Sequence, residues 1–235
     1  MVAPDAPDPR VGKVLDSAAE LLVRWGYQRV TIEDVARHAG IGKGTVYLHF
    51  RSKDALFLTV LMRVHRVVVE RMADRMAADP REVLPSRTMR SLYAELSADP
   101  VARSLYLGDA EVLGRLAHEA AGTLGELTQR RQQAVLEHLR LLAEGGCLRP
   151  GLDVESAWYA FAAVGTGFFV VDGLGAGIPD LAADARAELI EGTLAGALEV
   201  PDPPLAVLER VGPVIAQRYR ALLEPIDEEW RRRVR

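Results

Sequence analysis

The 235-residue chain contains a single cysteine, Cys147, and only three lysines. One thiol builds no disulfide framework, so Cys147 is expected to be a small buried apolar residue of a protein kept in a reducing compartment. Long hydrophobic runs are also missing. The least charged stretch, AWYAFAAVGTGFFVV at 157–171, is shorter than the ~20 apolar residues of a membrane span. The first residues, MVAPDAPDPR, have neither the basic start nor the apolar stretch of a signal peptide and are expected to form a disordered arm over 1–9. A cytoplasmic location follows as an expectation. No segment alternates in a way that demands a strand, and no internal repeat is present. Nor does a constellation for catalysis appear. The His118-Glu119 pair lacks a second histidine four residues on, the five histidines show no metal spacing with Cys147, and no nucleophile elbow is present. No enzyme activity, metal or cofactor is expected.

What is present is unevenly distributed charge. Residues 10–53 carry eight Lys or Arg against four acids, a formal +4 that includes all three lysines, which leaves −8 for the rest of a chain whose net charge is −4. A basic head on an acidic body favours an anionic partner at the head alone.

The periodicity is helical almost throughout. Val11, Val14, Leu15, Ala18, Leu21, Leu22 and Trp25 recur at helical spacing and end at Gly26, a candidate C-terminal stop. In TIEDVARHAG, Thr31 is placed to cap a short helix with Asp34 as its capping-box acid. Ile32, Val35, Ala36 and Ala39 make the apolar stripe, and Gly40 ends the helix. The next helix runs from Gly42 or Lys43 to His49 or Phe50. Ser52 caps a long one reaching 77. Further helices are expected near 81–97, 99–107, 110–119, 123–144, 153–174, 179–199 and 204–233, the last interrupted at Gly212-Pro213.

GIGKGTVYLHFRSKDAL (40–56) raises the question of a phosphate loop. A Walker loop requires Gly-Lys followed by Ser or Thr, a glycine five residues before that second glycine, and a preceding strand. Here Gly44 follows Lys43, Arg37 holds the glycine position, and an amphipathic helix precedes. A helix-turn-helix accounts for the pattern instead: two short helices around the tight turn AGIG, the second free to enter a major groove. With Val46 and Phe50 packed inward, Lys43, Gly44, Tyr47 and Leu48 must point away from the core. Exposed Tyr and Leu on so short a helix are costly unless a groove covers them. For single residues a plainer role stays open: Tyr47 as a cap on the core, His49 as a solvated surface residue.

TIEDVARHAGIGKGTVYLHFRSKDAL, with AAELLVRWGY before it, resembles the signature of TetR-family transcriptional regulators over about residues 10–60. The resemblance implies an all-α protein. A three-helix DNA-binding head over 10–56 joins through a long helix to an effector-binding and dimerisation body over 57–200, followed here by a C-terminal helical extension, 201–235. It implies that Thr31, Tyr47, His49 and Lys53 meet backbone phosphates and that Lys43, Gly44, Thr45 and Leu48 approach bases. Leu48 departs from the larger aromatic or polar residue often found there, and leucine offers only apolar contact, for which a thymine methyl is the natural partner. The implied partners are a palindromic double-stranded operator, a second copy of the chain and a small-molecule effector, with no membrane. The implied function is that of a repressor which its effector releases from DNA. An activator or partner-controlled dimer without an effector is the alternative, and an all-α enzyme with an incidental helix-turn-helix a more distant one.

Within the body, the small residues Ala162, Ala163, Gly165, Gly167, Gly192, Ala195 and Gly196 permit close helix approach, either within the chain or across a dimer. Leu92, Tyr93, Leu96, Tyr106, Leu136, His138, Phe161, Phe168 and Phe169 are candidates for the effector pocket, and each also suits plain core. The segment after 200, with its basic end (Arg231, Arg232, Arg233, Arg235), extends past where members of the family often stop. It is expected to extend the dimer interface, cover the pocket or lie solvated.

Overall fold

The computed structural model describes residues 9–106, 110–174 and 177–233. All but the last residue of the expected N-terminal arm lie outside them; Pro9 opens the first helix. The described residues form α1 (Pro9–Arg29), α2 (Ile32–Ala39), α3 (Lys43–His49), α4 (Lys53–Ala78), a 3-10 turn (Pro80–Val83), α5 (Pro85–Ala98), α6 (Pro100–Tyr106), α7 (Ala110–Thr123), α8 (Gly125–Glu144), α9 (Val154–Leu174), α10 (Ala183–Leu198), α11 (Leu205–Arg220) and α12 (Leu223–Arg233). Among them the only extended pairing is one isolated antiparallel bridge, Leu148 with Glu199.

Two apolar cores are strung along α4. The head core gathers Leu15, Leu22, Val35, Val46, Phe50, Leu56 and Phe57. The body core gathers Met72, Met76, Tyr93, Leu139, Ile190, Leu194 and Ile215. Residues 55–62 of α4 are buried with the head and Val68, Met72, Ala73 and Met76 with the body. At 26 residues, α4 spans roughly 39 Å, so one continuous helix joins both cores. Leu105, Val112, Leu116 and Leu124, from α6 to α8, also join the head core, which therefore does not end where the short helices do.

Local sequence explains most boundaries. Ser52 caps α4 by accepting from the Ala55 amide at 2.9 Å. Two expectations are corrected and a third is met. Gly26 breaks the helical path of α1 where expected, at φ 75° and ψ 160°, a conformation only glycine adopts cheaply; the residues to Arg29 form a further turn beyond the kink, with Tyr27 buried. Trp25, counted in the apolar stripe, is exposed. Gly212-Pro213 does not interrupt α11: Pro213 faces solvent while Leu208, Val211, Ile215, Ala216 and Tyr219 pack toward α4, α8 and the 3-10 turn, and that burial outweighs the hydrogen bond a proline cannot make. The break falls instead at Ala221–Leu222.

At the far end of the body, the Glu199 carboxylate caps α5. It accepts from the Ser86 amide at 2.7 Å and the Ser86 hydroxyl at 3.1 Å. Burial pushes Glu199 above the usual carboxylate range and likewise raises the Cys147 thiol, which is fully buried as expected. The helix α9 is unlike its neighbours. Its 18-residue stretch Val154–Val171 has a mean hydropathy of 1.4, yet only 17% of it is buried within the chain. By length and composition alone it is the one described helix that passes for a membrane span.

Candidate nucleic-acid interface

The head builds a helix-turn-helix from its caps inward. Thr31 Oγ1 accepts from the Asp34 amide at 3.1 Å, and Asp34 Oδ2 accepts from the Thr31 amide at 3.2 Å, a complete capping box. The Thr31 hydroxyl donates to the same carboxylate oxygen at 2.6 Å, and this bond is the largest cause of a lowered Asp34 pKa. Gly40 closes α2 at φ 67°, its amide returning to Arg37 and Ala36, so the chain reverses within the turn. The seven-residue α3 could not persist alone. Val46 and Phe50, both buried, fix it against α1, α2 and α4.

With those anchors set, the opposite side of α3 is open. Leu48 is 83% exposed and Tyr47 45%. Lys43 and Gly44 are exposed; Thr45 and His49 are half-buried. An exposed leucine is common, but a tyrosine and a leucine side by side on a helix this short, beside basic residues, form a surface that needs a partner. Lys43 pairs with Glu33 of α2, and its ammonium lies 5.6 Å from the Tyr47 ring. The pair raises the Lys43 pKa and lowers that of Glu33. Lys53, at the first turn of α4, sits 4.2 Å over the Tyr27 ring and donates to the Gln28 carbonyl at 3.5 Å. Burial and then Arg115 lower its pKa. Thr31 at the α2 N-terminus, the exposed face of α3 and Lys53 are thus held on neighbouring elements. Glu33 is the participant that the sequence reading missed; its spacing of ten from Lys43 is not a helical repeat and carries no signal.

The candidate pocket residues do not converge on one point. Tyr93, Phe169 and Tyr106 form a chain of rings with centroids 5.2 Å and 5.7 Å apart, and Leu92, Leu96, Phe161 and Phe168 belong to the same core. His65 of α4 joins this chain, meeting the Tyr106 hydroxyl at 2.5 Å. Burial lowers its pKa to about 4 and raises that of Tyr106 to about 12. His138 stands elsewhere, between the Tyr219 hydroxyl (3.1 Å) and the Val83 carbonyl (2.5 Å), and burial lowers its pKa to about 4 as well. Leu136 is half-buried on the same helix.

A capped two-helix turn presenting an open, basic-edged second helix defines a helix-turn-helix DNA-binding protein. The chain belongs to the TetR family of transcriptional regulators. It matches the family described as bacterial regulatory proteins, tetR family, over residues 14–60. It is 30% identical over 169 residues to the HTH-type transcriptional regulator TtgR of Pseudomonas putida, covering 69% of this chain and 76% of that one. Among solved structures, the SmeT–triclosan complex superposes with a TM-score of 0.59 at 22% identity, over 84% of this chain and 95% of its own. FadR of Bacillus subtilis bound to stearoyl-CoA does so at 0.55 and 19%, over 78% and 96%. At these identities the two structures speak for the fold.

Proposed function

We propose that this protein is a homodimeric repressor that binds a palindromic operator and is released from it by a small, largely apolar effector. The observation that carries the DNA reading is the exposure of Tyr47 and Leu48 on a helix whose opposite side is anchored by two fully packed residues. In this reading Thr31, Tyr47, His49 and Lys53 hold phosphates and set the register, while Lys43, Gly44, Thr45 and Leu48 meet base edges. Residues 10–56 act as the DNA-binding unit and 57–200 as the effector and dimer unit.

Two features of the body support the rest. The exposed side of α9 carries Tyr159, Ala163, Thr166 and Gly167, and α10 beside it exposes Leu189, Gly192 and Gly196. Such a mixture suits helices of a second copy packing closely, and the apolar character of α9 then belongs to a protein interface rather than to lipid. The aromatic chain Tyr93–Phe169–Tyr106 with its polar end at His65 has the composition of an effector site: apolar walls and a few polar groups. SmeT is described as the repressor of a multidrug efflux pump and was solved with triclosan, and FadR with stearoyl-CoA. These precedents favour a hydrophobic effector and a repressor that works in the cytoplasm, and a regulator over an enzyme.

The test is footprinting on the DNA upstream of the protein's own gene, with and without stearoyl-CoA or triclosan as probes. Two protected half-sites one helical turn or a multiple apart, weakened by one of these ligands, support the reading. A site lacking two-fold symmetry contradicts it. Two-fold protection that neither probe changes favours the dimer without such an effector.

A further inference from the structure

Beyond α11, which packs into the body core, the chain continues as α12, and the placement of this helix suggests a role. Between Met62, the last head-core residue of α4, and Val68, the first body-core residue, no α4 side chain is fully buried. In that stretch, 63–67, Val64 packs on both cores and His65 meets Tyr106, while Arg63 and Arg66 turn to the C-terminal helix. Helix α12 lies against this stretch. Asp227 takes Arg66 in a two-point grip, Nε to Oδ1 at 2.7 Å and Nη2 to Oδ2 at 3.4 Å. The Arg63 guanidinium sits 5.8 Å from the Trp230 ring and also donates to Asp16 of α1 at 2.7 Å. Trp230 packs on the head core. On the other side, Leu222 and Ile226 pack with Ala134 of α8 beside Val69.

The geometry points to α12 as a splint across the mid-section of α4, with Asp227 and Trp230 as positioning residues that fix the angle of the DNA-binding head to the body. The extension packs on both cores, α11 into the body core and Trp230 of α12 onto the head core. Bracing matters because a rod hinged at 63–67 lets the two heads of a dimer wander, whereas an operator offers one separation. Arginine suits the grip, since its planar fork meets a carboxylate at two points where lysine would meet it at one. Each contact is partly exposed and individually modest, so the effect is on angle and not on whether the chain folds. This role rests on the reading of the protein as a dimer on a two-fold operator.

The test uses the full-length protein with Asp227→Asn and Trp230→Leu, singly and together, and Asp74→Asn as a control that breaks the Arg220 contact on the body half of α4. Spin labels at Arg24→Cys in a Cys147→Ser background report the distance between heads. Duplexes with half-sites at the best separation, or one base pair further apart, report spacing preference. The splint predicts a broader distance distribution in the Asp227 and Trp230 variants and a preference for the best spacing weakened roughly two- to five-fold, the scale of one partly exposed charge pair. Asp74→Asn should leave both readouts unchanged. Isosteric Asp227→Asn keeps the test valid if the double variant fails to fold. Unchanged distance width and spacing preference in Asp227→Asn and Trp230→Leu overturn the positioning role. A wild type that selects no two-fold site contradicts instead the operator reading beneath it.

Discussion

Replacing Leu48 by alanine should separate DNA recognition from folding. The side chain is 83% exposed, so truncation removes almost no packing from the protein, and alanine is at least as good in a helix. Thermal stability should stay within about 0.5 kcal/mol of wild type. On DNA the same three carbons are expected to lie against a thymine methyl. Burial is worth about 0.8 kcal/mol per methylene, and a groove that stays partly wet realises about half, or roughly 1–1.5 kcal/mol per head. Two heads double this, so operator affinity should fall roughly 30- to 150-fold. Fluorescence anisotropy on the operator and on a scrambled duplex, beside a thermal melt, provides the assay. The loss should appear on the operator and not on the scrambled duplex, because apolar base contact specifies and does not simply attract. Undiminished operator affinity, an equal loss on both duplexes, or a melting point lowered by several degrees would each refute the assignment of Leu48.

Lys53→Ala should weaken binding to every sequence and flatten the dependence of log affinity on log salt by about one unit per head, as read from binding isotherms across salt concentrations. Glu33→Gln frees Lys43 from its internal partner and should raise affinity for non-specific DNA; in a Lys43→Ala background that gain should vanish, and its persistence would show that Glu33 does not act through Lys43. His138 is buried with its pKa lowered to about 4, below the ordinary value of 6.5. The unfolded chain therefore takes up its proton first as pH falls, so the contribution is flat above pH 6.5 and is lost on descending toward 4, by up to about 3 kcal/mol. Denaturant titrations from pH 7.5 to 4.5 should show this slope, reduced in His138→Asn. Tyr159→Glu places a charge on the exposed side of α9 and should yield folded monomers by sedimentation velocity, with operator affinity lost in parallel.

The head was readable in detail because its signals are local. Thr31 with Asp34, Gly40, Ser52 and the inward pair Val46–Phe50 each depend on neighbours within four residues, and each appears in the structure as read. The errors arose where tertiary packing overrode a local cue. Gly212-Pro213 looks like a stop, but burial of the α11 stripe carries the helix past it. Partners distant in the chain left no trace either. Glu33 with Lys43, His138 with Tyr219 and Asp227 with Arg66 are separated by 10, 81 and 161 residues, and no periodicity connects them. The candidate pocket residues were the least legible, since a ring that lines a cavity and a ring that fills a core obey the same apolar pattern.

The placement of DNA on the α3 face is tested most directly by the salt dependence of binding to the two-fold site upstream of the protein's own gene. If Lys53 of both heads meets phosphates while Lys43 reaches base edges, log affinity should fall with log salt at a slope of about −1.8 or steeper. The complex should hold two protomers per duplex, and Lys53→Ala should flatten the slope. A slope near zero, or one that Lys43→Ala and Lys53→Ala together leave unchanged, would contradict the placement of DNA on this face of the head.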